Sequence, residues 1–309
     1  MGKDMHEKVL DWLVCPACLP EEYPLEPRTI RRENEDIVSG VLVCPRCGAH
    51  YAIEDGLADL TPPGLAVPAP QTRYDAARMA ASYLWSQYAD LWDDPEATGA
   101  YGAWMAMLGE CAGPGLDAGC AVGRFTLELA GKTGFAVGVD LSRNFVALAR
   151  QIVRQGGLTF TAPWQGTITT EFSFALPDRL RAGLAEFIRA DALRLPFRQG
   201  GFGVVASLNV VDKLPDPRRH LRECQRLCAA PATLVVADPF SWSPEVAPPD
   251  TWIGGTPETG DSARQLAALL AGGPGWSAAV AGSARWSIRD HKNRYEHIQS
   301  EVVVAHRAV

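Results

Sequence analysis

The sequence predicts an α/β fold: an open, doubly wound sheet of seven mostly parallel strands behind a small metal-held ribbon. Three observations carry this prediction. Two C-x-x-C pairs, Cys15-Pro16-Ala17-Cys18 and Cys44-Pro45-Arg46-Cys47, stand near the start. A stretch with four prolines, 61–70, follows them, removing backbone donors and favouring an extended chain. Beyond it, short apolar runs of β type alternate with helical patterns, as a sheet covered on both faces requires.

At 309 residues, one substantial domain plus a small appendage is the natural partition. The boundaries read as a metal-held ribbon at 1–61, a Pro-rich linker at 62–73 and a larger α/β domain at 74–309. Apolar residues make up 47% and charged residues 21%, enough to build a core without cross-links. No apolar run reaches the ~20 residues needed to span a bilayer, and the start Met1-Gly2-Lys3-Asp4 lacks a signal-peptide core. The expected location is cytoplasmic, where thiols stay reduced and paired C-x-x-C spacings suggest metal ligands. Cys15, Cys18, Cys44 and Cys47 are therefore read as four thiolates around one zinc ion. With no open coordination position the metal is structural, and a segment this short needs such a staple. Cys111, Cys120, Cys224 and Cys228 show no ribbon spacing and read as small buried hydrophobes.

The larger region opens with an aromatic-rich helical segment at 74–93 and a helix at about 99–111. Strands are expected near 115–118, 136–140, 186–190, 203–208, 233–238, 284–289 and 300–306, with helices between most of them. Residues 158–176 alternate Thr, Phe and Ile with polar residues around Gln165-Gly166, the pattern of an inserted β-hairpin.

The run Leu116-Asp117-Ala118-Gly119-Cys120-Ala121-Val122-Gly123-Arg124 follows the first strand and opens a helix. Its glycines permit a tight turn and close backbone approach, and the helix start offers free amides to a polar ligand. The second strand ends in Asp140, 23 positions after Asp117, where a carboxylate can accept both hydroxyls of a ribose. These two features alone also suit a dinucleotide. The turn, however, is D-x-G-x-x-x-G rather than G-x-G-x-x-G; Asp191-Ala192 follows the third strand; and Ser207 to Pro217, with Asn209, ends the fourth.

With these motifs in place, the region from about Tyr74 to Val309 resembles the class I S-adenosylmethionine (SAM)-dependent methyltransferases, a Rossmann-like family. The resemblance implies SAM as cofactor, with Asp117, Gly119 and Gly123 in the first motif, Asp140 on the ribose, Asp191 on the adenine side and Asn209 in the post-strand loop. Leu141, Ala192 and, from the aromatic helix, Tyr83 and Tyr88 complete the candidate pocket. Ala121 stands where many members have glycine, which is tolerable if φ there is negative. The ribbon, with flanks 10–14 and 48–57, resembles the small family that activates RNA and protein methyltransferases in trans, which implies a possible protein partner.

Trp252 lies beyond the fifth strand, and the C-terminal segment carries Arg289, His291, Tyr295 and His297. Aromatic, cationic and imidazole groups outside strand ends suit a small polar or zwitterionic acceptor. This arrangement resembles the methyltransferase domain of ovothiol biosynthesis, which methylates the imidazole nitrogen of a mercaptohistidine, although the present chain adds a ribbon. Arg289 would pair with a substrate carboxylate, His291 would orient or deprotonate the nucleophile, and Tyr295 and Trp252 would wall the acceptor, with Asn209 beside the reacting atoms. His291 and His297 can equally be structural histidines.

Two other readings compete. An rRNA or tRNA base methyltransferase would also join a ribbon to this fold, but a formal charge of −7 argues against a broad phosphate-tracking surface. The clusters Arg28/Arg31/Arg32 and Arg218/Arg219/Arg222 then read as solvated faces. A non-catalytic partner-binding module would keep the fold and fail to bind SAM. No membrane association is expected.

Overall fold

The computed structural model describes residues 5–66 and 69–309. Met1–Asp4, part of the leader reading, and Val67 and Pro68 of the linker lie outside the described residues.

The ribbon is an antiparallel sheet of β1 (Met5–His6), β2 (Glu26–Glu33), β3 (Asp36–Val43), β4 (His50–Glu54) and β5 (Leu57–Ala58). Along β4, Tyr51 and Ile53 are buried while His50, Ala52 and Glu54 are exposed, the period of two of a half-buried strand. The arginines of β2 are paired with Glu26, Glu33 and, from the first 3-10 helix, Glu7.

A short helix α1 (Ala69–Thr72) precedes α2 (Ala77–Tyr88) and α3 (Ala100–Met107). The helical segment expected at 74–93 is broken by 3-10 turns on both sides of α2, and Asp93, at φ 55°, ends it. Then come β6 (Gly115–Ala118), α4 (Arg124–Thr133), β7 (Phe135–Asp140), α5 (Arg143–Gln155), and the inserted hairpin of β8 (Gly157–Gln165) and β9 (Ile168–Ala175). The chain continues through β10 (Leu184–Arg189), β11 (Phe202–Leu208), α6 (Pro217–Leu227), β12 (Cys228–Asp238), α7 (Ser262–Ala271), β13 (Trp276–His291) and β14 (Arg294–Arg307). The seven-stranded sheet runs β10-β7-β6-β11-β12-β14-β13. It is parallel through β12, with β14 and β13 antiparallel. Strand order therefore reverses at β6, and a crevice opens where β6 and β11 lead to opposite sides.

Alternation along the strands divides the core in two. Ala136, Val204 and Ala206 face α2 to α5, whereas Leu116, Val137, Val139 and Val205 face α6 and α7. No helix connects β10 to β11, and the ribbon fills that vacancy. Met5, Val9, Leu13 and Leu60 belong to the same buried cluster as Leu116, Phe135, Val137 and Phe202. The Trp12 ring packs 4.9 Å from that of Phe135. Backbone bonds stitch the seam: Val14 N–H to Pro196 O (2.9 Å), Arg198 N–H to Trp12 O (2.9 Å) and Leu60 N–H to Arg189 O (2.8 Å). The ribbon read at 1–61 and the larger domain read at 74–309 thus share one buried cluster, which the ribbon covers beside β7 and β10 while α6 and α7 cover the rest.

β13 begins at Trp276, well before the expected 284; Trp276 to Ser283 is rich in Ala and Gly, weak strand formers that give this half no strand pattern, and the register shifts between Val280 and Gly282. β14 pairs with β12 only over Glu301–Arg307. Residues 284–300 continue as a two-stranded arm past the strand ends of the sheet.

Candidate active site and metal centre

Cys15 and Cys18 sit on the turn after the first 3-10 helix, Cys44 and Cys47 on the turn from β3 to β4. Their four sulfurs lie within 4.8 Å of one another, with Cys15–Cys47 at 3.7 Å and Cys18–Cys44 at 3.8 Å. Sulfurs about 2.3 Å from zinc at the corners of a tetrahedron are about 3.8 Å apart. The donor set and its spacing fit structural zinc. Tyr51 places its hydroxyl 3.2 Å from Cys15 Sγ, where it can donate to a metal-bound thiolate.

At the crevice, a cavity is lined by Asp117, Gly119, Ala121, Asp140, Leu141, Asp191, Ala192, Asn209 and Tyr83. Gly119, at φ 94°, turns the chain out of β6, and the N–H groups of Gly119 and Cys120 both donate to Val139 O. A Cβ on Gly119 would fall 2.3 Å from Val210 Cγ2, so only glycine fits. Asp140 Oδ2 accepts from Ala121 N–H and Oδ1 from Ser142 N–H, both at 2.9 Å. Each oxygen keeps a lone pair, the capacity a ribose diol needs. Asp191 Oδ1 accepts from Leu193 N–H at 2.9 Å.

Ala121 corrects one expectation: its φ is 46°, in the left-handed region where a side chain costs about 1–2 kcal/mol. The bond to Asp140 holds it there. Gly123 and Tyr88 are not among the residues lining the cavity. Gly123 starts α4 at φ 93°, and a Cβ on it would lie 2.6 Å from Phe187, so it permits helix packing. Tyr88 is fully buried, donates to Val122 O at 2.9 Å and stacks on Phe174.

Sequence motifs do not single out several lining residues: Asp75, Gln87, Tyr101, Trp104, Arg189, Lys213 and Trp286. Arg189 and Lys213 stand beside motif positions at strand ends, where ligand contacts concentrate. The aromatic residues come from segments without a cofactor motif and arrive by packing. Arg189 also joins the cavity to the ribbon, pairing with Asp59 at 2.6 Å and donating from Nε to Leu141 O at 2.9 Å.

A second cleft adjoins the first and shares Tyr74, Tyr83, Asn209, Lys213 and Trp286 with it. The C-terminal arm lines its far side with Trp286, Ile288, Asp290, Tyr295 and Ile298. Strand alternation sends Arg289 and His291 elsewhere. The buried Arg289 guanidinium packs over Trp164 and Phe172 of the inserted hairpin, and His291 Nδ1 accepts from Asn293 N–H in the turn. Trp252 stacks on Trp242 and donates to Ala247 O, lining neither cavity. Arg289, His291 and Trp252 are therefore corrected as acceptor residues, while Tyr295 and Asn209 line the cleft. His297 bonds Ser287 Oγ at 2.8 Å.

Charge and shape together fit SAM. Asp75, Asp117, Asp140 and Asp191 against Arg189 and Lys213 favour a ligand bearing sulfonium and ammonium charges. The buried Trp104 indole N–H has no partner among the described residues, leaving a donor for the ligand's own acceptor atoms. Burial raises the Asp117 carboxyl to about 7, opposed by the Thr126 hydroxyl at 2.8 Å, and raises Asp140 to about 6 against its backbone bonds.

These raised values mean that the folded state holds more protons than the unfolded one between pH ~4 and ~7, so ligand-free stability falls as pH rises through that window. Asp117→Asn is expected to stabilise the ligand-free protein at pH 8 by about 2–4 kcal/mol, a gain that shrinks toward pH 4. Thermal denaturation across pH measures this; a pH-independent difference would contradict the burial of charge at Asp117.

Two family models match the chain: a methyltransferase domain at residues 116–236 and a Trm112p-like protein at residues 6–56. Among curated proteins, methyltransferase GfsG of Streptomyces halstedii is 32% identical over 124 residues, 40% of this chain and 36% of that protein. Ajmaline N-methyltransferase of Rauvolfia serpentina is 26% identical over 122 residues, 39% and 34% of the two chains. The match thus spans about a third of these relatives' length. Among solved structures, the complex of the Haloferax volcanii Trm112 methyltransferase activator with a putative methyltransferase is similar at 15% identity and TM-score 0.47, covering 76% of this chain and 98% of that one. Magnesium protoporphyrin IX methyltransferase from Synechocystis, with bound SAH, is similar at 16% identity and TM-score 0.42, covering 74% and 96%.

Proposed function

We propose that this chain, which joins a SAM-dependent methyltransferase domain to a Trm112p-like zinc ribbon, transfers methyl groups to a small polar molecule at nitrogen or sulfur. The supporting observation is the meeting of the cofactor cavity with a second cleft across Tyr74, Tyr83, Asn209, Lys213 and Trp286. When bound, SAM supplies an electrophilic methyl: the acceptor lone pair forms the new bond, the old C–S pair stays on sulfur, and the acceptor's proton leaves to solvent.

The chain's own residues then position and exclude. Asp140 and Asp191 hold the cofactor's nucleoside end, and Trp286 and Tyr83 wall the junction against water. Positioning of this kind supplies much of the acceleration for an already activated methyl group. No histidine lines either cavity, which suits an acceptor nitrogen or sulfur that reacts without a histidine base. The second cleft carries Lys213, Arg73 and Arg294 together with Asp290 and Glu296, a mixed lining that suits a zwitterion such as a histidine-like or thiol-imidazole compound.

An RNA acceptor is the competing reading, and the Trm112p-like ribbon favours it. Against it stand the paired arginines of β2 and the net acidity. Incubation with methyl-labelled SAM is expected to label thiol-imidazoles or small amino acids and to leave rRNA and tRNA unlabelled. Label confined to RNA would overturn the small-molecule reading.

A further inference from the structure

We propose that Lys213 anchors a compact anionic group, a carboxylate or a phosphate, on the methyl acceptor; this rests on the methyltransferase reading of the two cavities. Lys213 lines both the cofactor cavity and the second cleft, so the residue stands at their junction, with its side chain 34% exposed. The 3-10 turn Val211–Lys213 carries it directly after β11. Its Nζ sits 2.7 Å from Asp212 Oδ2, and Gln71 Nε2 donates to its carbonyl at 3.0 Å.

The support beneath it is a buried carboxyl pair. Asp212 Oδ2 also accepts from Ser241 N–H at 3.0 Å, Asp212 N–H donates to Asp238 Oδ2 at 3.3 Å, and Phe240 N–H donates to Asp238 Oδ1 at 2.8 Å. Burial, then the charge of Asp212, push the Asp238 carboxyl well above the ordinary range. An ammonium has three donors and Asp212 takes one, so donors remain for a ligand.

The other charges of the second cleft are differently engaged. Asp290 is paired with Arg78 at 2.6 Å and approached by Arg294 at 3.7 Å, and Arg73 donates to the Tyr74 hydroxyl at 2.9 Å. Lys213 is the cation that borders the cofactor cavity and the cleft together. Tyr83 and Trp286 beside it, with rings 5.9 Å apart, offer apolar faces to a planar body. An anion on such a body meets a cation already held in place, with less ordering to be lost on binding.

The test uses the full-length protein loaded with S-adenosylhomocysteine, with benzoate, inorganic phosphate and neutral benzamide as probes followed by ligand-observed NMR. Benzoate or phosphate is expected to bind at least about tenfold more tightly than benzamide, and the tighter of the two assigns carboxylate or phosphate. Lys213→Met should abolish that preference and Lys213→Arg should keep it, each measured with S-adenosylhomocysteine at saturation for that variant. Lys213→Met strands a buried carboxylate, so the double variant Asp212→Asn/Lys213→Met serves if it does not fold. Equal binding of benzamide and the anions by wild type, no binding of any probe, or an unchanged preference without Lys213 would overturn the proposal. Failure of wild type to bind S-adenosylhomocysteine would instead overturn the underlying methyltransferase reading.

Discussion

Removing the zinc, by chelation or by Cys18→Ser, is expected to melt the ribbon and the catalytic sheet in one transition. Structural zinc binds small zinc peptides with about 10–16 kcal/mol, as much as a whole domain's stability of about 5–15 kcal/mol, so its loss suffices to unfold the ribbon. The loss cannot stay local. Once Trp12, Val9, Leu13 and Leu60 leave, Phe135 and Phe202 of the shared cluster face water with no helix between β10 and β11 to cover them. The Asp59–Arg189 pair and the Leu60–Arg189 bond go as well, and with them the tether that joins the ribbon to the cofactor cavity at Arg189. Hydrogen exchange after chelation should show protection lost in β7, β10 and β11 together with β3 and β4, and binding of S-adenosylhomocysteine should disappear. Exchange confined to residues 5–60, with cofactor affinity intact, would restore the two-unit partition read from the sequence.

Asp140→Ala is expected to weaken S-adenosylhomocysteine binding by about one to two decades, since hydrogen bonds to a charged group contribute ~1.5–3 kcal/mol. Part of that loss is indirect. Without the carboxylate, the N–H groups of Ala121 and Ser142 lose their acceptor, and Ala121 loses what holds it at φ 46°. Asp140→Asn separates the effects, because it keeps one acceptor oxygen but presents an NH2 group to a backbone donor. In the wild type, the carboxyl raised to about 6 must be ionised for both oxygens to accept freely, so affinity is full above that pH and falls by about tenfold at one unit below it. Calorimetry from pH 5 to 8 should show this slope in the wild type and its absence in Asp140→Asn. Unchanged affinity in a folded Asp140→Ala protein would remove the residue from the cofactor site.

Both predictions involve residues found from local patterns, and the larger corrections come where pattern runs out. Asp140 and Asp191 were readable because a carboxylate directly after a strand must emerge at the sheet's carboxyl edge. Tyr83 and Tyr88 looked alike on one helix, yet Tyr83 lines the cavity while Tyr88 is stacked beneath it on the inserted hairpin. Five residues separate them, about 500° of helical rotation. That spacing alone does not say which side meets the ligand until the partners of both sides are known.

By itself the sequence determined the thiolate set, the turn chemistry at Gly119, the strand-end carboxylates and the order of elements. Each depends on a few neighbouring residues, through metal-ligand spacing, backbone freedom or hydrophobic period. Only the tertiary structure decided that the ribbon completes the catalytic core, that Trp286 rather than Arg289 turns toward the cleft, and that Lys213 stands where two cavities meet. The reason is strand register and long-range packing. A shift of one residue along β13 would exchange the faces of Trp286 and Arg289, and the pairing that sets it, Trp286 opposite Ile298 and Arg289 opposite Tyr295, is fixed by contacts with α2 and the inserted hairpin rather than by the strand's own residues.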